Sequence, residues 1–276
     1  MPMSNYHSLE ETAKKIRKQL VQMHYASNSS HIGSGMSIVD ILTILYFKTC
    51  HIHKDNFDKK DRDRIILSKG HAVASLFAAL KEKGILSEEE LAGYYKNGQY
   101  LGGHPNLGIK GVEASTGSLG HGLPMAVGMA LAHKLNKNSN EVFIILGDGE
   151  CNEGSVWESA ILAVRFQLDN LTIIVDCNEI QGYDFTRDIC PQQRLEDLWK
   201  GLGAYFIKVN GHDFAELDKA LDKMNKRKGF PKILIAKTVK GKGISFMEDK
   251  MEWHYKSPND GQREQALREI SEGIRK

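Results

Sequence analysis

Cysteine and proline are both scarce in this chain: four cysteines and six prolines among 276 residues. Cys50, Cys151, Cys177 and Cys190 stand far apart, with no C-x-x-C pair. That spacing argues against a disulfide framework and against a thiolate zinc site, and a reducing cytoplasm fits it best. No stretch approaches the ~20 apolar residues of a membrane span. The opening residues, MPMSNYHSLEE, lack the basic and apolar regions of a secretory signal. Neither sign of charge dominates. The net charge of +2 gives no field for gripping nucleic acid or an anionic membrane, and the mixed-sign run Lys59–Arg64 reads as a solvated loop. Internal repeats and low-complexity linkers are missing too. The chain therefore reads as one domain over residues 1–276, with an irregular extension from about Gly243 where periodicity weakens.

The material present suits a globular core, at 41% hydrophobic and 26% charged residues. Ser8-Leu9-Glu10-Glu11 reads as a capping box, followed by Leu9, Ala13, Ile16, Leu20 and Met23 at helical spacing. A second helix is predicted from Ser37 to about Phe47. Arg64–Ser68 reads as a buried strand, followed by a helix from near His71 that ends at Gly84. Ser87-Glu88-Glu89-Glu90 opens another short helix. Residues 96–123 are rich in glycine and nearly aperiodic, the mark of a functional or disordered loop. A small-residue helix over Gly122–Leu135 follows. Val142–Leu146, Leu171–Asp176, Ala204–Val209 and Lys232–Lys237 are strand candidates. Helical patterns at Glu153–Phe166, Leu195–Trp199 and Asp213–Lys228 lie between them. Strands alternating with helices predict an α/β fold, a parallel sheet sandwiched by helices.

Ligands of such sheets bind at the carboxyl ends of the strands. Gly147-Asp148-Gly149 stands at one such end and leads into a helix whose positive end points back at it. Alone, this tripeptide is more often a plain turn. Asn178 ends the next strand, with 28 residues between it and Gly149. Neighbouring strand tips lie about 5 Å apart, and an octahedral magnesium takes oxygens at ~2.1 Å. Asp148 and Asn178 can thus share one ion that also holds a diphosphate. Ser115–Gly120 is a second glycine-rich entry to a helix N-terminus, another anion cradle.

Together these stretches resemble the diphosphate-binding domain of transketolase. The likeness covers most of the chain. It includes Ser30-His31-Ile32-Gly33, Leu67–Ala72, Gly103-His104-Pro105, Ser115–Gly120, Gly147–Glu158, Ala236–Gly243 and Trp253-His254. The resemblance implies thiamine diphosphate with magnesium, or calcium or manganese in its place. Asp148, Asn178 and the carbonyl of Ile180 are then the metal ligands. Gly149, Gly117, Leu119, His71, His254 and Lys240 contact the cofactor. His31, His104 and His254 surround the reacting carbon, where imidazoles can accept and return protons near neutral pH. Glu153, counted with the cofactor group, and Glu158 resemble acids near a subunit contact. His7, His24, His51, His53 and His133 carry no such context, and His212 reads as part of a helix-start turn.

Three departures stand out. His121 replaces the commoner Gln and Tyr255 replaces the usual Gly. The chain also ends shortly after Trp253-His254, before any pyrimidine-binding domain with its activating glutamate. The resemblance therefore implies the N-terminal subunit of a split transketolase, joined to a partner that carries the other two domains, in an α2β2 assembly. Its reaction would move a two-carbon ketol unit between sugars, usually sugar phosphates. A specialised carboligase subunit for an unusual sugar or 2-oxo acid, and a non-catalytic cofactor-binding subunit, are the alternatives.

Overall fold

The computed structural model describes residues 6–57, 59–60 and 62–274. Five strands form one parallel sheet in the order β1-β2-β3-β5-β4. They are β1 (Arg64–Leu67), β2 (Val142–Gly147), β3 (Leu171–Cys177), β4 (Tyr205–Asn210) and β5 (Lys232–Lys237). Consecutive burial against two alternating layers explains why the central apolar runs are strands. Phe143 and Ile145 of β2 face one hydrophobic layer, while Val142, Ile144 and Leu146 face the other. A sheet buried on both faces needs such continuous runs.

The first layer contains α1 (His7–Ser27), α2 (Ile32–Ser37), α3 (Val39–Ile44), α4 (Val73–Glu82) and the short α5 (Glu88–Ala92). The second is built on α6 (Gly122–Leu135) and α7 (Gly154–Arg165). The short α8 (Thr186–Ile189) and α9 (Gln192–Gly201) follow β3, and Leu195 and Trp199 of α9 complete the second layer. Helix α10 (Phe214–Asn225) returns to the first layer. Gly122 lets α6 approach β1 closely: a Cβ there would stand 2.6 Å from that of Ser68.

Several sequence expectations need correction. Ser8 caps nothing, because α1 begins at His7 with Tyr6 at the N-cap and no side-chain cap bond. The capping boxes that do form are Ser87 with Glu90 and Asn259 with Gln262. The second of these opens α11 (Asp260–Glu272), in the segment read as irregular. That helix packs on α1 but buries only Ala266 and Ile270, so its apolar stripe is too thin to read. The helix expected over 37–47 starts at Ile32, breaks at Ile38 and ends in a π-helical turn at Leu45–Thr49.

Within Lys59–Arg64, Asp61 lies outside the described residues, and the solvated-loop reading fails at Arg62 and Asp63, both buried. Arg62 pairs with Glu113 and lies over the Phe57 ring, while Asp63 accepts the amides of His51 and Glu141. Buried charges persist only when so partnered. No described helix is long and apolar enough to cross a membrane.

His24, in the last turn of α1, is 1% exposed. Its Nδ1 lies 2.9 Å from the Ser29 hydroxyl, and its Nε2 has no partner among the described residues. Burial pushes its pKa down to about 4 from an ordinary 6.5. The unfolded chain therefore binds the proton more readily between those values. This contribution is intact above pH 6.5 and is lost as pH falls towards 4. At pH 5 it amounts to about 2 kcal/mol. Urea denaturation at pH 7.5 and pH 5 should show His24→Asn losing about that much less stability than the wild type. Equal losses in both proteins would contradict this.

Candidate active site

Parallel strands deliver their carboxyl ends to one side of the sheet, and the register aligns the tips. Gly147 of β2 pairs with Asp176 of β3, and Asp176 with Ala236 of β5. Beyond the tips lies a cavity of about 310 Å³. Its wall includes His31, His71, His104, Asp148, Asn178 and His254. Gly117, Leu119, Gly149, Ile180 and Lys240 line it as well. Glu153 and Glu158 do not: both are exposed, at the N-cap and in the body of α7. His121 is exposed, its ring beside the carbonyl of Leu119.

Asp148 is buried, with Oδ1 accepting the Gly149 amide and Oδ2 accepting both the Glu179 amide and the Thr186 hydroxyl. Burial first, and the negative charge of Asp176 second, push its carboxyl up to about 6. Asn178 donates its amide nitrogen to Asp176 Oδ2 at 2.9 Å, which fixes its Oδ1 as the acceptor end. Asp148, Asn178 and the Ile180 carbonyl therefore present hard oxygens, the donors a magnesium ion favours. They suit such an ion chemically.

Lys240 gives the second test of fit. Its ammonium is buried and bonds the Ile180 carbonyl at 3.1 Å and His254 Nδ1 at 2.8 Å. No carboxylate lies within ion-pair distance of it among the described residues. Burial and the nearby Lys69 bring its pKa down to about 8. A buried cation without a counter-ion, facing a cavity, is the complement of an anionic ligand.

Three imidazoles cluster opposite. The ring centroids of His31, His71 and His254 are 4.9 to 5.4 Å apart. His31 holds a left-handed conformation, φ 77°, and donates its amide to the His254 carbonyl, tying two loops together. His104 arrives on a third loop. Its ring lies so close to Gly117 that a Cβ there would meet it at 3.0 Å. Burial, then the nearby His104 and Lys240, lower His31 to about 4. Burial, then Lys240 and His31, lower His254 to about 3. His71 is pushed well below its ordinary value, chiefly by burial. These three rings are neutral near pH 7 and able to accept a proton. Because His254 Nδ1 accepts from Lys240, its Nε2 carries the hydrogen.

Sequence reasoning missed the supports beneath this wall. Lys69 is 2% exposed and pairs with the fully buried Asp176 at 2.5 Å. Burial alone would raise Asp176, but Lys69 and the hydroxyls of Thr238 and Ser37 hold its pKa below the usual carboxylate range. Glu150 accepts from the Ser68 hydroxyl and from the amides of Gly120 and Gly147, joining three loops. His212 does stand in the turn before α10, as expected, but it also accepts the Val239 amide and donates to Asp40. It thereby braces the loop that carries Lys240. Lys69 and Glu150 lay inside the quoted motifs, which was the available signal.

Comparison with known proteins identifies the family. The profile described as "Transketolase, thiamine diphosphate binding domain" matches residues 8–269. An apulose-4-phosphate transketolase subunit of Phocaeicola vulgatus is 38% identical, with 98% of this chain and 96% of that protein covered. A 6-deoxy-6-sulfo-D-fructose transketolase subunit from a Clostridium species is 36% identical, covering 89% and 90%. Human transketolase is 37% identical over 97% of this chain, but the chain spans only 44% of its length. The crystal structure of Campylobacter jejuni transketolase superposes with a TM-score of 0.90 at 31% identity, covering 95% of this chain and 42% of that one. The chain belongs to the transketolase family, as its thiamine diphosphate binding domain.

Proposed function

We propose that this chain is the cofactor-binding subunit of a two-chain transketolase, transferring a two-carbon ketol unit from a ketose to an aldose, both typically phosphorylated. The observation that carries the reading is the single cavity wall shared by the oxygens of Asp148, Asn178 and Ile180, the unpaired Lys240 ammonium and four histidines. Asp148, Asn178 and the Ile180 carbonyl hold a magnesium ion. Lys240, His71 and the Gly149 backbone hold the diphosphate. Gly117 and Leu119 flank the aminopyrimidine end. Thiamine diphosphate, when bound, supplies the carbanion chemistry of the transfer. His31 and His104 accept the proton of a sugar hydroxyl during cleavage and return it to the acceptor. The Nε2 hydrogen of His254 donates to a substrate or phosphate oxygen, held in that tautomer by Lys240.

The partner supplies the pyrimidine-binding and C-terminal domains, and two copies of each chain assemble as α2β2. Subunit-sized relatives support this division. So does an apolar face on the second layer: Leu135 of α6, Ile161 and Leu162 of α7 and Phe166 just beyond it are exposed beside one another's helices. Glu153 and Glu158 stand exposed at the start of that face. The four cysteines are free, and we place the protein in the reducing cytoplasm.

A second reading, transfer to a specialised sugar, rests on Tyr255. Its ring is exposed, 4.7 Å from that of His254 and 6.3 Å from that of His31, two histidines of the cavity wall. Turnover of xylulose 5-phosphate with ribose 5-phosphate by the reconstituted pair separates the two. Transfer between these sugars supports general transketolase activity; transfer only to other acceptors favours the specialised one.

A further inference from the structure

Gln181 lines the same cavity, next to Ile180, and belongs to none of the groups assigned above. Its backbone is fixed by a tight turn, in which its amide donates to the Asp184 carbonyl at 2.8 Å and Ile180 bridges Phe185. From there the side chain reaches across to the Gly147-Asp148-Gly149 loop. It lies flat on Gly149: a Cβ at that position would stand 2.8 Å from Gln181 Cγ and 2.9 Å from Cδ. Only glycine leaves room for it. The side-chain oxygen is held by Asn152, whose amide nitrogen donates at 3.2 Å.

With the oxygen committed, the amide nitrogen faces away from Asn152, and it has no partner among the described residues. Gln181 is 8% exposed, and its nitrogen is closed to water in this arrangement, so it meets a ligand only as the side chain turns slightly into the cavity it lines. Buried donors left in this state are rare because they carry the full cost of desolvation. The group carries hydrogens and no lone pair to offer, so the missing partner is an acceptor. A cation is excluded by the same token. The acceptor that belongs beside Gly149 and Lys240 is a phosphoryl oxygen.

We infer that Gln181 is a phosphate-binding residue of this site, its amide donating to the diphosphate opposite Lys240 while Asn152 holds it in place. The inference rests on the cofactor reading above. It adds a neutral donor where a second buried cation would have needed its own counter-ion. It also accounts for Asn152, an otherwise unremarkable exposed residue, as the anchor that decides which end of the amide faces the ligand.

Calorimetric titration of the purified chain, with magnesium present, tests this using thiamine diphosphate, inorganic pyrophosphate and unphosphorylated thiamine. Gln181→Leu keeps the approximate size of the side chain and removes both the donor and the oxygen that Asn152 holds. It should weaken thiamine diphosphate and pyrophosphate alike by ~10-fold or more, the share of a hydrogen bond to a charged acceptor. Its melting temperature without ligand should fall only slightly, because the one bond lost there is to the exposed Asn152; a glutamine with a structural role would lower it clearly. Gln181→Glu retains the oxygen for Asn152 but presents a carboxylate to the anion, and should bind both phosphates more weakly than the Leu variant. Wild-type affinity in either variant, or a loss for thiamine diphosphate without one for pyrophosphate, overturns the assignment. Failure of the wild-type chain to bind thiamine diphosphate at all would instead overturn the cofactor reading beneath it.

Discussion

Asp148→Asn should lower the affinity of the chain for thiamine diphosphate with magnesium by ~100-fold, and the loss should vanish when magnesium is withheld from both proteins. Among the three oxygens proposed to hold the metal, only that of Asp148 carries a charge; Asn178 and Ile180 offer neutral carbonyls. A hard divalent ion that keeps few protein ligands depends heavily on the one carboxylate, and ~100-fold corresponds to about 2.7 kcal/mol. Asn is the better probe than Ala. Asp148 also satisfies the amides of Gly149 and Glu179 and the Thr186 hydroxyl. Truncation would orphan all three and confuse instability with lost affinity. Titrations in magnesium and in EDTA, on the isolated chain, separate the two effects. If the variant keeps the magnesium dependence of the wild type, Asp148 is not a metal ligand.

Much of the frame was legible in the sequence, for a definite reason. The strands of a doubly covered sheet must be apolar at consecutive positions, so Val142–Leu146 and Leu171–Asp176 announce themselves without reference to the rest of the chain. That Asp148 and Asn178 would face one cavity was legible because one crossover connection joins neighbouring strands, so sequence spacing translates into proximity of the tips. No such translation exists for Lys69 and Asp176, which pair across 107 residues. Nor does one exist for Glu150, whose partners come from three loops, or for Gln181, whose importance lies in a partner it lacks. Helix α11 was hidden because two buried residues in thirteen do not make a pattern. The capping box at Ser8 failed for the opposite reason: a satisfactory local signal was overruled when α1 started two residues earlier, at His7 with Tyr6 at the N-cap.

Alone, the chain should bind its cofactor and yet turn over at least ~1,000-fold more slowly than with its partner. Ketol transfer through thiamine diphosphate needs an acid group to relay a proton at the aminopyrimidine, and positioned acids and bases contribute ~10²–10⁴-fold in rate. The cavity wall offers two carboxylates, Asp148 and Glu150. Asp148 already accepts three hydrogen bonds, and so does Glu150. Neither is free to serve as that relay without dismantling the wall itself. The histidines of the wall are already proposed to serve the diphosphate and the sugar. The partner proposed above is expected to bring that acid, and the exposed apolar face of α6 and α7 gives it somewhere to dock. Calorimetry on the isolated chain should register cofactor binding, while the transfer assay stays near background until the partner is added in equimolar amount. Full turnover from the purified single chain would mean that one of these two carboxylates is available after all, and the two-chain reading would fall.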